Sequence, residues 1–212
     1  MSVCGIVLAA GRGVRMGGTP KQLLPLGGRP LLQHVLDAAA DAGVEGLVVV
    51  LGHAADRIAP ALRLPPGARV VVNPRHDEGQ STSLGVALAA MPPEASAALV
   101  LLGDQPEVRP EAIRAVIAGA ADAPVVRASY GGVPGHPVLL DRSLWPQLAR
   151  GRGDAGARGL IAARGERPAL VELGGAAPAD IDTPEDYARL TARGPAAPGG
   201  GDGTGASVRP RG

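Results

Sequence analysis

A glycine-rich segment near the N-terminus has the residue types of an anion-binding loop. It reads LAAGRGVRMGG over residues 8–18 and follows a short apolar run. Small residues let the backbone approach a ligand closely, and glycines let successive N–H groups converge on one anion. A guanidinium at Arg15 can bond two phosphate oxygens at once. The segment is therefore predicted to bind phosphate groups through Leu8, Ala9, Ala10, Gly11, Gly13 and Arg15.

The glycine spacing separates this loop from two common phosphate-binding motifs. No Gly-Lys-Ser/Thr sequence follows it, as a P-loop requires. In the dinucleotide-binding fingerprint, a third glycine comes three positions after the second. Here Gly11 and Gly13 are followed by Gly17, which is one position late. The loop is therefore predicted to bind a nucleotide in a different way.

Lys21 is the only lysine among the 21 basic Lys and Arg side chains. A compact ammonium fits beside a crowded phosphate, whereas a guanidinium needs space for its fork. Lys21 follows Gly11 closely enough in the chain to fold back over the same site. We expect it to neutralise negative charge that builds up on a triphosphate in the transition state.

Two acidic segments are candidates for a divalent metal site. Asp104 follows the apolar run Ala98–Leu102, which places its carboxylate at the carboxyl end of a buried strand. Asp180 and Asp182 point the same way if the chain is extended there. Magnesium prefers one or two carboxylates together with phosphate oxygens and water. Asp104 is predicted as one ligand, and either Asp180 or Asp182 could reach the same metal, although helix capping explains the second segment equally well.

A polar segment, Asn73–Ser83, follows another apolar run and leads into a helical pattern. Backbone donors at the start of a helix can hold the base or ribose of a nucleotide. The predicted nucleotide-binding residues of this segment are Asn73, Gly79, Ser81 and Ser83. His136 and Asp154 stand in loops of small residues and are candidates for lining an acceptor pocket, while a plain loop role explains them equally well.

Apolar runs alternate with helical patterns along the chain, which predicts an α/β fold with a mostly parallel mixed sheet and helices on both faces. The predicted strands are Val3–Ala10, Leu47–Leu51, Val70–Val72, Ala98–Leu102, Val125–Ser129, Pro137–Leu140 and Leu170–Leu173. The helical patterns cover residues 30–43, 54–62, 81–91, 110–117, 144–148, 157–163 and 184–191. Residues 1–193 are predicted to form one domain, and 194–212 a disordered tail rich in glycine and proline.

Charge and hydropathy argue against several classes of partner. The formal net charge is +1 and the basic residues are scattered, so neither a nucleic acid nor a membrane is an expected partner. No apolar run approaches the roughly 20 residues of a membrane helix, and no signal peptide pattern is present. The sequence therefore predicts a soluble cytoplasmic protein.

Six blocks of sequence together resemble the MobA-like NTP transferases, and most closely the branch of molybdenum cofactor cytidylyltransferase. The resemblance covers roughly residues 3–191. The blocks are LAAGxGxRMG from Leu8, Lys21, the Asn73-Pro74 and Gly79–Leu84 segment, Gly103–Pro106, Gly135–Leu139 and Asp180–Asp186.

This resemblance implies a Rossmann-like nucleotidyltransferase fold over residues 1–193 and a Mg²⁺ cofactor. It implies transfer of a nucleotidyl group, CMP from CTP, to a small phosphorylated acceptor such as molybdopterin, with release of pyrophosphate. Lys21 and Arg15 would contact the phosphates. Asp104 would hold the metal together with Asp182, which is favoured over Asp180 as the second ligand. The implied partners are a nucleoside triphosphate, a small-molecule acceptor and, transiently, a molybdoenzyme or its chaperone. The implied assembly is a monomer or weak dimer.

Three other functions compete with this interpretation. The first is a guanylyl- or other nucleotidyltransferase for a phospholactate or a sugar phosphate. The second is an NAD(P)-dependent oxidoreductase of the nicotine blue type, against which stand the late third glycine and His53 where an acidic residue is expected. The third is a chaperone module that binds a cofactor without chemistry, which would not need both Lys21 and Asp104.

Overall fold

The computed structural model describes residues 1–11, 19–121, 123–150, 168–193 and 207–208. Its strands are β1 (Val3–Leu8), β2 (Pro25–Leu26), β3 (Arg29–Pro30), β4 (Leu47–Leu51), β5 (Arg69–Val72), β6 (Ala97–Leu102), β7 (Val125–Tyr130), β8 (Val133–Asp141), β9 (Ala169–Leu173) and β10 (Ser207–Val208). Its helices are α1 (Leu31–Asp41), α2 (Ala55–Ile58), α3 (Gln80–Ala89), α4 (Pro110–Ala118), α5 (Trp145–Leu148) and α6 (Pro184–Arg193).

Eight of the strands form one sheet in the order β10-β9-β7-β8-β6-β1-β4-β5, and β2 and β3 pair separately. The pairs β1/β4, β1/β6, β4/β5 and β7/β9 are parallel. The pairs β6/β8, β7/β8 and β9/β10 are antiparallel. The predicted α/β fold with a mixed sheet is therefore confirmed, and its parallel centre consists of β6, β1, β4 and β5.

The central strands are apolar along their whole length because both faces of the sheet are covered. One face packs against α1 and α4, through residues that include Val7, Val49, Leu99, Leu36 and Ile113. The other face packs against α3 and α5, through residues that include Ile6, Val48, Val100, Leu84 and Trp145. Each fully buried aliphatic side chain of this kind stabilises the fold by roughly 1.5–3 kcal/mol. This burial explains why neither alternation nor a polar face appears in the strand sequences.

Some element boundaries differ from the sequence prediction. The first strand ends at Leu8 rather than Ala10. The helical pattern at 54–62 forms only the short α2, followed by a 3-10 turn over Ala59–Ala61, because Pro60 has no N–H to continue the helix. The predicted helix at 157–163 lies outside the described residues. Of the predicted disordered tail, the structure describes only β10, so that assignment stays a prediction.

The four parallel strands bring their carboxyl ends to one edge of the sheet. Leu8 is aligned with Val50 on one side and Leu102 on the other, and Leu51 is aligned with Val72. The segments that leave these strands therefore start side by side. Within the described parts of the chain, no helix has the length and apolarity needed to span a bilayer.

Candidate functional site

A cavity of about 520 Å³ lies at this edge of the sheet. It is large enough for part of a nucleotide, and its lining combines backbone from strand ends with polar side chains. The lining residues are Leu8, Ala9, Ala10, Gly11, Lys21, Gln22, His76, Asp77, Gly79, Gln80, Ser83, Leu102, Gly103 and Asp104.

The start of the glycine-rich loop packs directly against the end of β6. The N–H of Gly103 donates to the carbonyl oxygen of Leu8 at 2.9 Å. A Cβ at Gly103 would lie 2.7 Å from the Cβ of Ala9 and 3.2 Å from the oxygen of Leu8. Only glycine fits such a distance without displacing the backbone. This close approach places Asp104 beside the loop.

Gln22 is a site residue that the sequence prediction missed. Its side chain is 2% exposed, and its amide nitrogen donates to the carbonyl oxygens of Ala9, at 2.8 Å, and Gly11, at 3.2 Å. It thereby ties the start of the loop to the 3-10 turn over Lys21–Leu23. The available signal was a lone polar amide beside Lys21 at the start of an apolar run. We infer that Gln22 positions both the loop and the lysine.

Lys21 lies between two of the predicted metal-binding carboxylates. Its Nζ is 2.7 Å from Oδ2 of Asp104 and 2.9 Å from Oδ1 of Asp182, although these residues are 83 and 161 positions away in the chain. Lys21 is only 8% exposed. Burial alone would lower the pKa of Lys21, but attraction to Asp104 and hydrogen bonds to both carboxylates raise it above its usual value. The ammonium is therefore fully charged near neutral pH.

Asp180 stands close to the same group but makes a different contact. Its Oδ1 accepts a hydrogen bond of 2.8 Å from the amide of Gln105, a second residue that the sequence prediction missed. Burial raises the pKa of Asp180, the bond from Gln105 lowers it, and the charges of Asp104 and Asp182 raise it, with a net upward shift. Of the two acidic residues left open by the sequence, Asp182 is therefore the one that contacts Lys21.

The segment before α6 both caps that helix and contacts Lys21 through Asp182. The Oδ2 of Asp186 accepts hydrogen bonds from the N–H of Asp182 at 3.2 Å and of Thr183 at 2.8 Å. The hydroxyl of Thr183 accepts from the N–H of Asp186 at 3.2 Å, which completes a reciprocal capping arrangement. The N–H of Ile181 donates to the carbonyl oxygen of Asp104 at 3.0 Å. Because Thr183 and Asp186 cap the helix, the carboxylate of Asp182 is left for Lys21.

The carboxylate oxygens around Lys21 suit a hard divalent cation. Asp104 and Asp182 offer carboxylate oxygens, which magnesium and manganese prefer. These two side chains already hold a cationic group between them, so their spacing suits a positive charge. Within the described residues, no cluster of three or more acidic, histidine or cysteine side chains forms a metal cage. The arrangement therefore fits a metal held by two carboxylates and completed by phosphate oxygens and water.

Asn73 does not line the cavity but contacts Ser83, which does. It is fully buried, at 0% exposure, and its amide nitrogen donates to the hydroxyls of Thr82 at 2.9 Å and Ser83 at 3.0 Å. Its Oδ1 accepts from the N–H of Arg75 at 3.0 Å. Both amide hydrogens of Asn73 are already used, so this side chain has no donor left for the base edge that the sequence predicted it to contact. It supports Ser83 instead.

The remaining residues of the polar segment differ in their access to the cavity. Gly79 and Ser83 line it, as does His76, which the sequence prediction missed. A Cβ at Gly52 would lie 2.6 Å from the Cβ of His76, so the close packing of these two residues requires glycine. The hydroxyl of Ser81 is buried, and within the described part of the chain it has no hydrogen-bond partner.

The acceptor side of the site is described only in part. His136 is half-buried on β8, and its carbonyl oxygen accepts a hydrogen bond of 2.9 Å from the hydroxyl of Tyr130. Continuing the register from Val100↔Val138 by two residues places His136 level with Leu102. Gly13, Arg15 and Asp154 lie outside the described residues. An acceptor pocket lined by His136 and Asp154 therefore stays a prediction.

Comparison with known proteins gives a family and several full-length relatives. The model of the MobA-like NTP transferase domain matches residues 5–169. Nicotine blue oxidoreductase of Paenarthrobacter nicotinovorans is 32% identical over 200 residues, which cover 89% of this chain and 96% of that protein.

Solved structures show the same similarity. Rv0371c of Mycobacterium tuberculosis H37Rv superposes with a TM-score of 0.81 at 39% identity, over 89% of this chain and 97% of that one. A second structure of Rv0371c, in complex with manganese, gives a TM-score of 0.79 at 36% identity, over 90% and 98%. A nucleotidyl transferase of Methanothermobacter thermautotroptrophicus gives a TM-score of 0.75 at 28% identity, over 90% and 96%.

Proposed function

We propose, from the premise that this chain belongs to the MobA-like NTP transferase family, that it is a metal-dependent nucleotidyltransferase. It transfers a nucleotidyl group, CMP from CTP, to a small phosphorylated acceptor and releases pyrophosphate. One observation carries the proposal. At the phosphate end of the cavity, Lys21 meets Asp104 and Asp182 beside the start of the glycine-rich loop. A cation and a two-carboxylate metal site are what phosphoryl chemistry needs there.

The reaction needs little covalent help from the protein. An oxygen of the acceptor phosphate forms a bond to the α-phosphorus of CTP, and the bond from that phosphorus to the bridging oxygen breaks, so that pyrophosphate leaves. A phosphomonoester has its second pKa at about 6, so the attacking oxygen is already ionised near neutral pH. No general base is therefore assigned to His76 or His136.

Each group at the phosphate end has a defined task in this scheme. Lys21 neutralises charge on the α-phosphate and the departing pyrophosphate. Asp104 and Asp182 would hold the metal, which when bound polarises the phosphates and offsets their charge. Gln22 fixes the loop and the lysine in the alignment that an in-line displacement requires. The complex of Rv0371c with manganese supports a divalent cation in a protein of this kind.

An oxidoreductase of the nicotine blue type is the second candidate, since a relative with that name matches 89% of this chain. Hydride transfer from a nicotinamide dinucleotide does not require a lysine between two carboxylates. The chain after β4 continues with Gly52 and His53, where an acidic partner for a ribose would be expected. The contacts of the described residues therefore favour nucleotidyl transfer.

Two parallel assays separate these functions. Full-length protein with Mg²⁺ is supplied with each of the four nucleoside triphosphates and a phosphorylated acceptor (molybdopterin, a phospholactate or a sugar phosphate), and pyrophosphate is measured. The same protein with NADH or NADPH and a quinone-type dye is followed by nicotinamide absorbance. We expect acceptor-dependent pyrophosphate release, with CTP preferred, and no dye reduction. Asp56→Asn, an exposed carboxylate on α2, serves as a control that should behave as the parent.

The outcomes of these assays assign the activity. Dye-dependent oxidation of NADH without pyrophosphate release from any triphosphate would overturn the proposal. A strong preference for GTP would replace cytidylyl by guanylyl transfer and leave the chemistry unchanged. Release of pyrophosphate with a phospholactate or sugar phosphate, but not with molybdopterin, would replace the acceptor alone.

A further inference from the structure

The space between Asp104 and Asp182 holds a positive charge before any ligand arrives. The Nζ of Lys21 lies within 3 Å of an oxygen of each carboxylate, at 2.7 and 2.9 Å. Under the proposed function, on which this inference rests, the same two carboxylates hold the metal. The lysine and the metal therefore compete for one pair of ligands.

Electrostatics prevents both cations from using the pair in full. An ammonium and a divalent ion held by the same two carboxylates would lie within a few ångströms of each other and would repel one another, because solvent screens charges weakly at so short a distance. The nearby Asp180 adds negative charge, but its Oδ1 is already engaged by Gln105. A metal that enters alone must displace the ammonium of Lys21.

Displacement of Lys21 is costly unless a new anion receives it. The lysine is 8% exposed, and its turn is tied to the glycine-rich loop through Gln22. An ammonium moved away from both carboxylates would lose two charged hydrogen-bond partners and leave two adjacent carboxylates without a counter-charge. The phosphates of a triphosphate, bound at the loop beside it, would supply that anion.

We propose that Lys21 is a placeholder cation, which occupies the carboxylate pair in the free protein and makes tight metal binding depend on the triphosphate. In the free protein, Lys21 keeps Asp104 and Asp182 together. When a triphosphate binds, the ammonium moves to the phosphates and the carboxylates become available. The metal therefore enters with the nucleotide or after it, and not before.

Binding of Mn²⁺ alone tests the competition without any turnover. The EPR signal of free Mn²⁺ is titrated with the parent, Lys21→Met and the double variant Lys21→Met/Asp104→Asn. Methionine keeps the length and apolar stem of lysine and removes its charge. We expect Lys21→Met to bind Mn²⁺ about tenfold or more tightly than the parent, and the double variant to lose that gain. Equal or weaker binding by a folded Lys21→Met would overturn the proposal.

A second measurement uses the parent protein, so it does not depend on how the variant folds. Because Lys21 is the only lysine, protein grown with [13Cε]-lysine gives one lysine signal without assignment. We expect Mg²⁺ alone to leave that signal in place, and Mg²⁺ with CTP or inorganic tripolyphosphate to shift it. A full shift with Mg²⁺ alone would show that the metal displaces Lys21 unaided, which contradicts the proposal.

The two proposals fail in distinguishable ways. If Lys21→Met gains Mn²⁺ affinity and no triphosphate yields pyrophosphate with any acceptor, the placeholder role stands and the proposed reaction falls. If pyrophosphate is released and the parent binds Mn²⁺ as tightly as Lys21→Met, the reaction stands and the placeholder role is refuted.

Discussion

The two ends of the cavity are constructed from different kinds of contact. At the end that the proposed function assigns to the phosphates, Lys21 donates hydrogen bonds to the carboxylates of both Asp104 and Asp182. At the end that the proposed function assigns to the base, neutral groups such as Gly79 and Ser83 line the cavity beside the carboxylate of Asp77, and the buried amide of Asn73 supports Ser83. Ion pairs connect the functional side chains at the first end, whereas neutral hydrogen bonds fix Ser83 at the second.

This difference suggests a division of work between reaction and recognition. Charged groups that contact the phosphates act on any triphosphate, because every triphosphate carries the same phosphates. Neutral groups at fixed positions discriminate between bases, because a wrong base leaves a buried polar group unpaired. Substitutions at the phosphate end should therefore lower turnover for all triphosphates, and substitutions at the base end should alter the preference among them.

The largest expected effect is that of Lys21→Ala, which should lower turnover by roughly a hundredfold or more, as for loss of one preorganised charge donor. The loss should be equal with CTP and GTP, since under the proposed function the ammonium acts on the phosphates and not on the base. Some loss of melting temperature should accompany it, because two adjacent carboxylates lose their counter-charge. The measurement is steady-state pyrophosphate release, with Arg57→Ala, an exposed cation on α2, as a matched control. Unchanged turnover would remove Lys21 from the mechanism.

Asp104→Asn should eliminate magnesium-dependent triphosphate binding while the fold is kept. The amide keeps the shape of the carboxylate but removes the charge that a divalent cation needs. Calorimetric titration with CTP, with and without Mg²⁺, measures the effect. Asp180→Asn is the informative companion, because its carboxylate bonds Gln105 rather than Lys21 and should affect binding less. Equal affinity of Asp104→Asn and parent for Mg²⁺ with CTP would mean that the metal lies elsewhere.

Much of the phosphate end could be predicted from the sequence because its residues stand at strand ends in recognisable order. Asp104 follows β6 after a single glycine, and the rule that parallel strands share a carboxyl edge places it beside the glycine-rich loop. Residue spacing could not decide between Asp180 and Asp182, since both point the same way in an extended chain, and only the family resemblance favoured Asp182. It depends on the cap formed by Thr183 and Asp186, which is a matter of local geometry.

The supporting residues were harder to predict because their contacts are with backbone or with distant side chains. Gln22 bonds two carbonyl oxygens, and Gln105 bonds a carboxylate 75 positions away. A lone glutamine has no spacing pattern that indicates either role. For Asn73, a polar residue after a strand suggested contact with a ligand, whereas the structure places its side chain in the interior. Its burial depends on the packing of α3 against β4, which periodicity does not reveal.

Gln22→Leu should reduce kcat/KM by about tenfold, since a small misplacement of a positioning group is costly but leaves the charges in place. Leucine preserves the volume and removes the bonds to Ala9 and Gly11. Gln33→Leu is the matched control. Gln33 is also buried, but its amide donates to the side chain of Asp37, on α1, and to the carbonyl oxygen of Arg63, in the chain after α2. The control should lower the melting temperature without altering KM. A similar loss of kcat/KM in both variants would assign the effect to stability.

At the base end, Asn73→Ala should change the ratio of CTP to GTP use by about two- to fivefold, with a smaller change in maximal turnover. The loss of one amide leaves the hydroxyls of Thr82 and Ser83 without a donor, which should cost about 1–3 kcal/mol of stability. Competition between the two triphosphates measures the ratio. Asn73→Asp keeps an acceptor for the N–H of Arg75 and offers a second oxygen that can accept from the hydroxyl of Ser83, so it should restore part of the preference. A uniform loss with both triphosphates would break the proposed division between the two ends.

The smallest expected effect is that of deleting residues 194–212, which should leave both turnover and the preference for CTP unchanged. Within the described residues, this region contributes only β10, whose two residues pair with Glu172 and Val171 on β9. Four strand spacings of about 4.8 Å separate β10 from β6, so this strand lies roughly 19 Å from the strand that leads to Asp104. Two residue pairs add few hydrogen bonds, each with a net contribution of about 1 kcal/mol, so a shift of no more than a few degrees in melting temperature is expected. A shorter deletion of residues 209–212 keeps β10 and separates its contribution from that of the rest. A fall in turnover with the long deletion alone would mean that residues 194–208 reach the cavity, and the two ends of the site would then need a third contributor.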